Sequence, residues 1–430
     1  MLSDLRGGLH PAESAGGCVL HPVQPAAEAP EMMMLAQTLG ALAVMLAAGW
    51  GLRLAGQRLT GNAPKWRDMT LGESFGYVFA AALALAAARA YYLAWALPPP
   101  AGNAYFFLRV ALEGIGIGAI AALIFRALGR RIGPAGLRRA FRDMPLTAAF
   151  GILVILIYAV LAIFAGVLAP YGQAEVFDSV NVLPGGNTAM GGDPAHPLGT
   201  DQIGRDLLSR LIYGAQNTVG IAFVTTCLAF LLGGSLGFLA ATLRGWLDQL
   251  LSRAVDVLMA IPSLIFALLL MTIASAWAGS EKWLLTVYMI LIIAVIDSTR
   301  VFRLARAVGM NIVVMDYFEA AKLRGEKLPY LIFREILPNA MAPLLAEFGL
   351  RFCFVFLTIA ALSFLGVGIQ PPLADWGTMV RDLAAFINYA QFSPLAASLP
   401  LLAAGAIALL TVAVNFVVDW ALHRSSGLKD

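Results

Sequence analysis

The sequence predicts an all-α polytopic membrane protein, and three observations carry that reading. Of 430 residues, 60% are hydrophobic and 13% charged, about half the charged share of an ordinary soluble domain. A soluble fold of this size would lack the polar side chains to cover its surface. The apolar residues gather into nine segments, most of them near the roughly 20 residues a helix needs to cross a bilayer. Lys and Arg fall in the short stretches between segments, and the formal net charge is only +3. That is a topological pattern, not a stripe for nucleic acid.

In chain order, the first third holds spans expected at about 33–55, 74–97 and 104–125. Six more are expected at about 145–169, 213–241, 256–276, 283–299, 344–366 and 397–420, the one from 283 being the shortest. Residues 1–31 are rich in Gly, Ala and Pro and lack the basic and apolar regions of a signal peptide. They are read as a disordered extracytoplasmic tail. Residues 32–125 form an extra N-terminal bundle of about three helices, and 126–144 a basic loop. Arg53, Arg89 and Arg109 interrupt the first three spans. Two of these snorkel near a helix end, whereas Arg89 needs shelter from neighbouring helices.

Loop charge sets the orientation. Residues 126–143 carry Arg126, Arg130, Arg131, Arg138, Arg139 and Arg142 against Asp143 alone, which places this loop in the cytoplasm. Counting backward through the spans puts the N-terminus outside. Counting forward puts 170–212 outside, with Glu175, Asp178, Asp193, Asp201 and Asp206 against Arg205 and Arg210. The linker 300–343 and the C-terminus then lie in the cytoplasm.

That linker holds the strongest local signal. Asp316 and Glu319, three apart, have the spacing of a capping box. Tyr317, Phe318, Ala320, Ala321 and Leu323 follow as a mostly apolar surface, Gly325 permits a turn, and Pro329 discourages continuation. A second short helix is expected from about Tyr330 to Leu337, stopping at Pro338-Asn339. Two short helices of this kind form a knob that docks on a soluble partner, an amphipathic hairpin lying on the membrane, or a lipid sensor. Residue chemistry alone leaves all three open.

This stretch resembles the EAA loop of the membrane subunits of bacterial ATP-binding cassette (ABC) importers. The resemblance rests on Glu319-Ala320-Ala321, on Gly325 six positions later, and on Leu337-Pro338-Asn339. Two further motifs narrow it to peptide and nickel permeases of the dipeptide and oligopeptide C-subunit type. They are His196-Pro197-Leu198-Gly199-Thr200-Asp201, continuing through Gly204-Arg205-Asp206, and Ala361-Leu362-Ser363-Phe364-Leu365-Gly366 with Asp375-Trp376-Gly377 beyond it. Phe141-Arg142, the following span and Ala169-Pro170-Tyr171 resemble the family's opening segment.

The resemblance implies a six-span permease core of the type I importer fold at 145–424, preceded by the three extra helices. It implies that the linker docks into an ATPase subunit, with Asp316, Glu319, Ala320, Ala321, Gly325, Glu335, Pro338 and Asn339 at the dock. Glu335 departs from the histidine common at its position. It also implies the partners: a second homologous permease subunit of B type, one or two cytoplasmic ABC ATPases and an extracytoplasmic substrate-binding protein, all in the inner membrane or at its surface. Peptides, di- or oligopeptides, are the implied cargo; nickel or another small solute is the alternative.

Several features bound the chemistry. No GxxxxGK[ST] or HExxH occurs, so ATP and Mg are expected in partner subunits, and no cofactor, metal or catalytic residue in this one. Cys18, Cys227 and Cys353 are too scattered for a disulfide framework. Asp201, Arg205 and Asp206 read either as substrate-path residues or as local ion pairs and caps. Glu347 and Arg351, four apart, are expected to pair on one helix face. Arg300, Arg303 and Arg306 read as a cytoplasmic anchor, with membrane lipid as a further partner. Gly233, Gly234 and Gly237 read as a close-packing surface. A self-contained secondary transporter and a non-transporting scaffold remain as other classes. The first wants acids deep in the spans and inverted repeats, and the second wants partners without transport.

Overall fold

The computed structural model describes residues 44–56, 58, 69–97, 103, 105–132, 134–188, 191–279 and 281–425. The tail expected over 1–31 and the start of the first span lie outside the described residues. The chain divides into two compact units between Arg89 and Ala90. In the first, helix α1 (Val44–Gly56) packs Gly49 so close to helix α2 (Leu71–Ala96) that a Cβ added there would lie 3.1 Å from the Phe75 backbone. A reciprocal capping box opens α2: the Thr70 N–H donates to Glu73 and the Glu73 N–H to the Thr70 hydroxyl.

The second unit continues with α3 (Phe106–Arg131), α4 (Ala135–Asp143) and α5 (Leu146–Ile163). Arg109 lies in the first turn of α3. It pairs with Glu113 one turn along α3 at 2.9 Å, and its guanidinium stacks 3.5 Å from the Trp95 ring. At the base of α3, Phe141 of α4 fits against Gly129 and meets Phe125 edge to face.

Five long elements follow. Helix α6 (Leu207–Leu243) is continuous through a π turn at Ala215–Val219. Helices α7 (Gly245–Met259) and α8 (Ser263–Ala278) meet at an 89° bend, and α9 (Lys282–Val313) runs unbroken for 32 residues. A short helix, α10 (Asp316–Leu323), precedes α11 (Leu328–Phe364). Helix α12 (Trp376–Leu383) and the terminal α13 (Pro394–Ser425) complete the chain. Among the described residues seven helices are long and apolar enough to cross a membrane, or eight with the bent pair; nine were expected.

Two expectations are corrected here. The span at 256–276 starts inside α7 and crosses the bend at Ala260–Pro262. Pro262 lacks an N–H and clashes with the preceding turn, so α7 stops and the apolar run restarts as α8. The segment read as the shortest span, 283–299, is the core of α9, which runs for 32 residues. Its polar continuation through Arg300, Arg303 and Arg306 remains helical beyond the apolar stretch.

The glycines of α6 explain its closest partnership. Gly233 and Gly237 lie one turn apart and abut α9, where a Cβ on either would meet the carbonyls of Ser298 and Phe302. Gly309 of α9 returns the favour against Ala241 and Phe238. Small residues on both helices thus let backbones touch where lipid offers no hydrophobic drive. The main core gathers Met289, Ile293, Phe352, Phe356, Ile359 and Trp376, all buried.

Candidate functional site

The linker between α9 and α11 folds as a hairpin seated on its own apolar cluster. Phe318 and Ala321, three apart and both buried, face Ile312, Leu331, Ile336 and Ala340. The opposite face stays in solvent: Asp316, Tyr317, Glu319, Ala320 and Leu323 are exposed, Leu323 by 82%. Of the EAA triplet, then, Ala321 packs inward while Glu319 and Ala320 face out. Leu323 is thus a large apolar side chain left exposed on a short helix whose other face is packed.

The start of α10 differs from the capping box expected there. Met315 takes the cap position and no side chain caps the helix; Asp316 and Glu319 both sit in its first turn. Their charge favours the helix through its dipole instead of through a reciprocal bond. The end is built more firmly. The Gly325 N–H donates to the Lys322 carbonyl at 3.0 Å and the Glu326 N–H to Ala321 at 3.3 Å, with Gly325 at φ +80°. This is a Schellman motif, which needs a left-handed residue after the helix. No atom lies within 4 Å of a Cβ built on Gly325, so glycine is required by the torsion and not by space.

The second arm does not stop at Pro338-Asn339. It runs from Leu328 into α11, with a π turn over Leu331–Ile336 just before the proline. Widening the turn lets the chain pass a residue that has no N–H to give to the usual carbonyl. The Asn339 amide donates 2.7 Å to the Glu335 carbonyl at the same place. Pro338 and Asn339 are exposed and Glu335 half-buried, so these residues flank the hairpin at the root of α11.

The segment that precedes α6 is knotted by its charged residues. Asp201 accepts from the N–H groups of Ile203 and Arg205 and, at 2.7 Å, from the Arg205 side chain, while Arg210 stands 3.9 Å away. Asp206 caps α6 through the Ser209 N–H and holds the His196 ring at 2.9 Å, between Tyr171 and Phe177. Asp201, Arg205 and Asp206 are all buried. Their charges are used inside the loop.

This knot meets the stretch after α11. The Trp376 ring packs on Gly214 and its indole N–H donates 2.9 Å to the Leu211 carbonyl. Asp375 caps α12 and accepts from the Thr218 hydroxyl at 2.9 Å, and Asn217 of the π turn donates to Ala374. Burial pushes the Asp375 carboxyl above its ordinary range, opposed by the hydrogen bonds from Thr378 and Thr218. Two motifs separated by more than 150 residues are therefore one joint. Sequence reasoning quoted Asp375 only within its motif; its place as an acid immediately before a helix was the available signal.

Two other charged pairs were not anticipated. Arg306 grips Asp248 of α7, with one of its two bonds at 2.7 Å, tying the bent segment to α9. Asp297, inside the apolar run of α9, lies 3.8 Å from Arg351, whose pairing with Glu347 at 2.7 Å was expected. An acid in a span was the legible sign. Among the described residues no group of His, Cys, Asp and Glu is placed to hold a metal ion.

Comparison with known proteins agrees on one family. Residues 233–426 match the profile described as binding-protein-dependent transport system inner membrane component. The chain is 36% identical over 283 residues to a dipeptide transport system permease protein DppC of Escherichia coli, covering 66% of this chain and 87% of that protein. It is 35% identical over 245 residues to the DppC of Haemophilus influenzae, covering 57% and 80%. A glutathione transport system permease protein GsiD of Pectobacterium atrosepticum is 29% identical over 292 residues, covering 68% and 88%.

Proposed function

The chain belongs to the inner-membrane permease family of binding-protein-dependent ABC importers, of the dipeptide-permease C-subunit type, and from that premise we propose how its parts divide the work. It is a multi-pass permease subunit of a peptide importer, with di- or oligopeptides as cargo. Residues 145–424 are the permease core, and the helices of 32–125 are an addition to it. A homologous B-type permease completes the pathway. One or two ATPase subunits bind and hydrolyse ATP with Mg in the cytoplasm, and an extracytoplasmic binding protein delivers the cargo.

The observation that carries the reading is the hairpin between α9 and α11. Its inner face is fixed by Phe318 and Ala321, and its outer face offers Tyr317, Glu319, Ala320 and Leu323. Asp316, Gly325, Glu335, Pro338 and Asn339 shape its ends. A partner gripping that outer face moves α9 and α11 with it, since α11 is continuous with the second arm and only Val314 and Met315 separate α9 from the first. Closing of the ATPase pair draws the hairpins of the two permeases together, and its opening releases them, shifting the path between inward and outward access. Each step draws on the difference in affinity between states. This scheme puts the linker and C-terminus in the cytoplasm and the N-terminus outside.

On the far side, Asp201, Arg205 and Asp206 belong to the wall of the entry vestibule, where the knot around His196 keeps the segment folded as cargo arrives. The test uses the complete transporter in lipid vesicles, reading ATP hydrolysis with and without peptide-loaded binding protein. Glu319→Arg reverses a charge on the exposed face and leaves the buried seat intact. The expected result is intact membrane-subunit assembly with stimulation of hydrolysis and uptake greatly reduced. Unchanged stimulated hydrolysis and uptake would remove Glu319 from the dock.

A further inference from the structure

Two acids and two bases cluster within the long helices that carry the hairpin. Asp297 and Arg300 lie on α9, and Glu347 and Arg351 on α11, with Phe354 between the two guanidinium groups at 5.8 Å from Arg300 and 4.6 Å from Arg351. Asp297 and Arg351 are each less than a tenth exposed. Their formal charges cancel, as a low-dielectric setting demands.

The geometry is unequal. Arg351 Nε stands 2.7 Å from Glu347, its neighbour one turn away on the same helix. Its Nη1 stands 3.8 Å from Asp297, on the other helix and beyond hydrogen-bond range. Neither Nε nor Nη1 is aligned for a hydrogen bond, and both are buried. A native buried guanidinium with two unsatisfied donors is rare, because each such donor forfeits its hydration without replacement. A small slide of α11 along α9 would bring Arg351 within reach of Asp297, and a swing of the Arg351 side chain would then exchange the Glu347 contact for it.

We propose that Asp297, Glu347 and Arg351 form an intramembrane clasp, in which Arg351 exchanges Glu347 for Asp297 as the hairpin is driven from one position to the other. In one state Arg351 belongs to α11 alone, and the two helices are free to slide. In the other it bridges to α9, and both arms of the hairpin move as one body. Arg351 is thus a positioning residue for transport that touches neither cargo nor nucleotide. The same charges serve in both states, so what changes between them is which helices they join. This inference rests on the permease reading given above.

The experiment uses the whole reconstituted transporter and three variants: Arg351→Met, Arg351→Lys, and the neutral triple Asp297→Asn with Glu347→Gln and Arg351→Met. Assembly, ATP hydrolysis and peptide uptake are measured on each. Arg351→Met strands two acids, and uptake per ATP is expected to fall at least tenfold; Arg351→Lys, which keeps the charge, restores most of it. The triple variant separates function from folding. It removes both stranded acids and leaves only Arg300, which is exposed, so assembly recovers to the wild-type level, yet uptake per ATP stays at least tenfold low. Wild-type uptake per ATP in Arg351→Met or in the triple variant would overturn the proposal. So would failure of all three variants to assemble, which would make the cluster a folding element only. Glu319→Arg reports on the dock independently: normal coupling there sinks the dock, whereas normal coupling in the triple variant with an impaired Glu319→Arg sinks the clasp alone.

Discussion

Replacing Gly325 by alanine isolates the torsional part of the hairpin's construction. A Cβ at this position meets nothing within 4 Å, so the substitution adds no clash and removes no contact. What it does impose is an L-residue at φ +80°, which costs about 1–2 kcal/mol. That figure exceeds a typical net hydrogen bond of about 1 kcal/mol, and two bonds, from Gly325 to Lys322 and from Glu326 to Ala321, depend on the turn. At about 1.4 kcal/mol per factor of ten, the local opening of the hairpin should rise roughly five- to thirtyfold. Asparagine visits the left-handed region more readily, so Gly325→Asn should open it less. The assay is amide hydrogen exchange across residues 316–327 in the purified chain, beside substrate-stimulated ATP hydrolysis in the complete transporter. Alanine should lower both protection and stimulation, with asparagine between alanine and wild type. Full protection in Gly325→Ala together with lost stimulation would refute the reasoning, because glycine would then be there for close approach by the partner.

Two further outcomes follow from packing and burial. Gly237→Val should separate α6 from α9 and cut the yield of folded chain in detergent, because its Cβ would press on the Phe302 carbonyl and sit 2.8 Å from the Ala305 Cβ; overpacking of this kind costs about 1–3 kcal/mol. Gly234→Ala, where a Cβ meets nothing within 4 Å, should fold normally, and equal yields for the pair would contradict the packing argument. Asp375 carries a pH signature: its folded carboxyl is raised above the unfolded one chiefly by burial, so the folded state holds its proton more tightly. Its share of stability is therefore present at low pH and lost as pH rises through the raised value. Thermal unfolding in detergent between pH 4 and 8 should show that decline, and Asp375→Asn should flatten it.

Much of this was written in the sequence at the level of segments. Apolar runs located the membrane helices, and the order Glu319-Ala320-Ala321, Gly325, Leu337-Pro338-Asn339 located the hairpin. Gly233 and Gly237 announced a close helix pair. The parts that stayed hidden depend on three-dimensional company. A proline read as a stop at 338 is absorbed by a π turn, while the proline at 262 bends the chain by 89°. Local propensity treats the two alike, and only what surrounds the freed carbonyl tells them apart. Asp201, Arg205 and Asp206 have the residue types of a ligand site, and burial among their own loop's amides and the His196 ring is not encoded in spacing. Asp297 stood visible in an apolar run, but its partner lies 54 positions on in a different helix.

The unbroken length of α9 sets how far the hairpin stands from the tie between α7 and α9. At 1.5 Å per residue, the seven residues from Arg306 to Val313 reach about 10 Å past the Arg306–Asp248 tie. That reach exceeds the roughly 5–7 Å depth of one headgroup layer. On the proposed reading, a docking partner would meet Tyr317 and Leu323 at a height set by two turns of one helix.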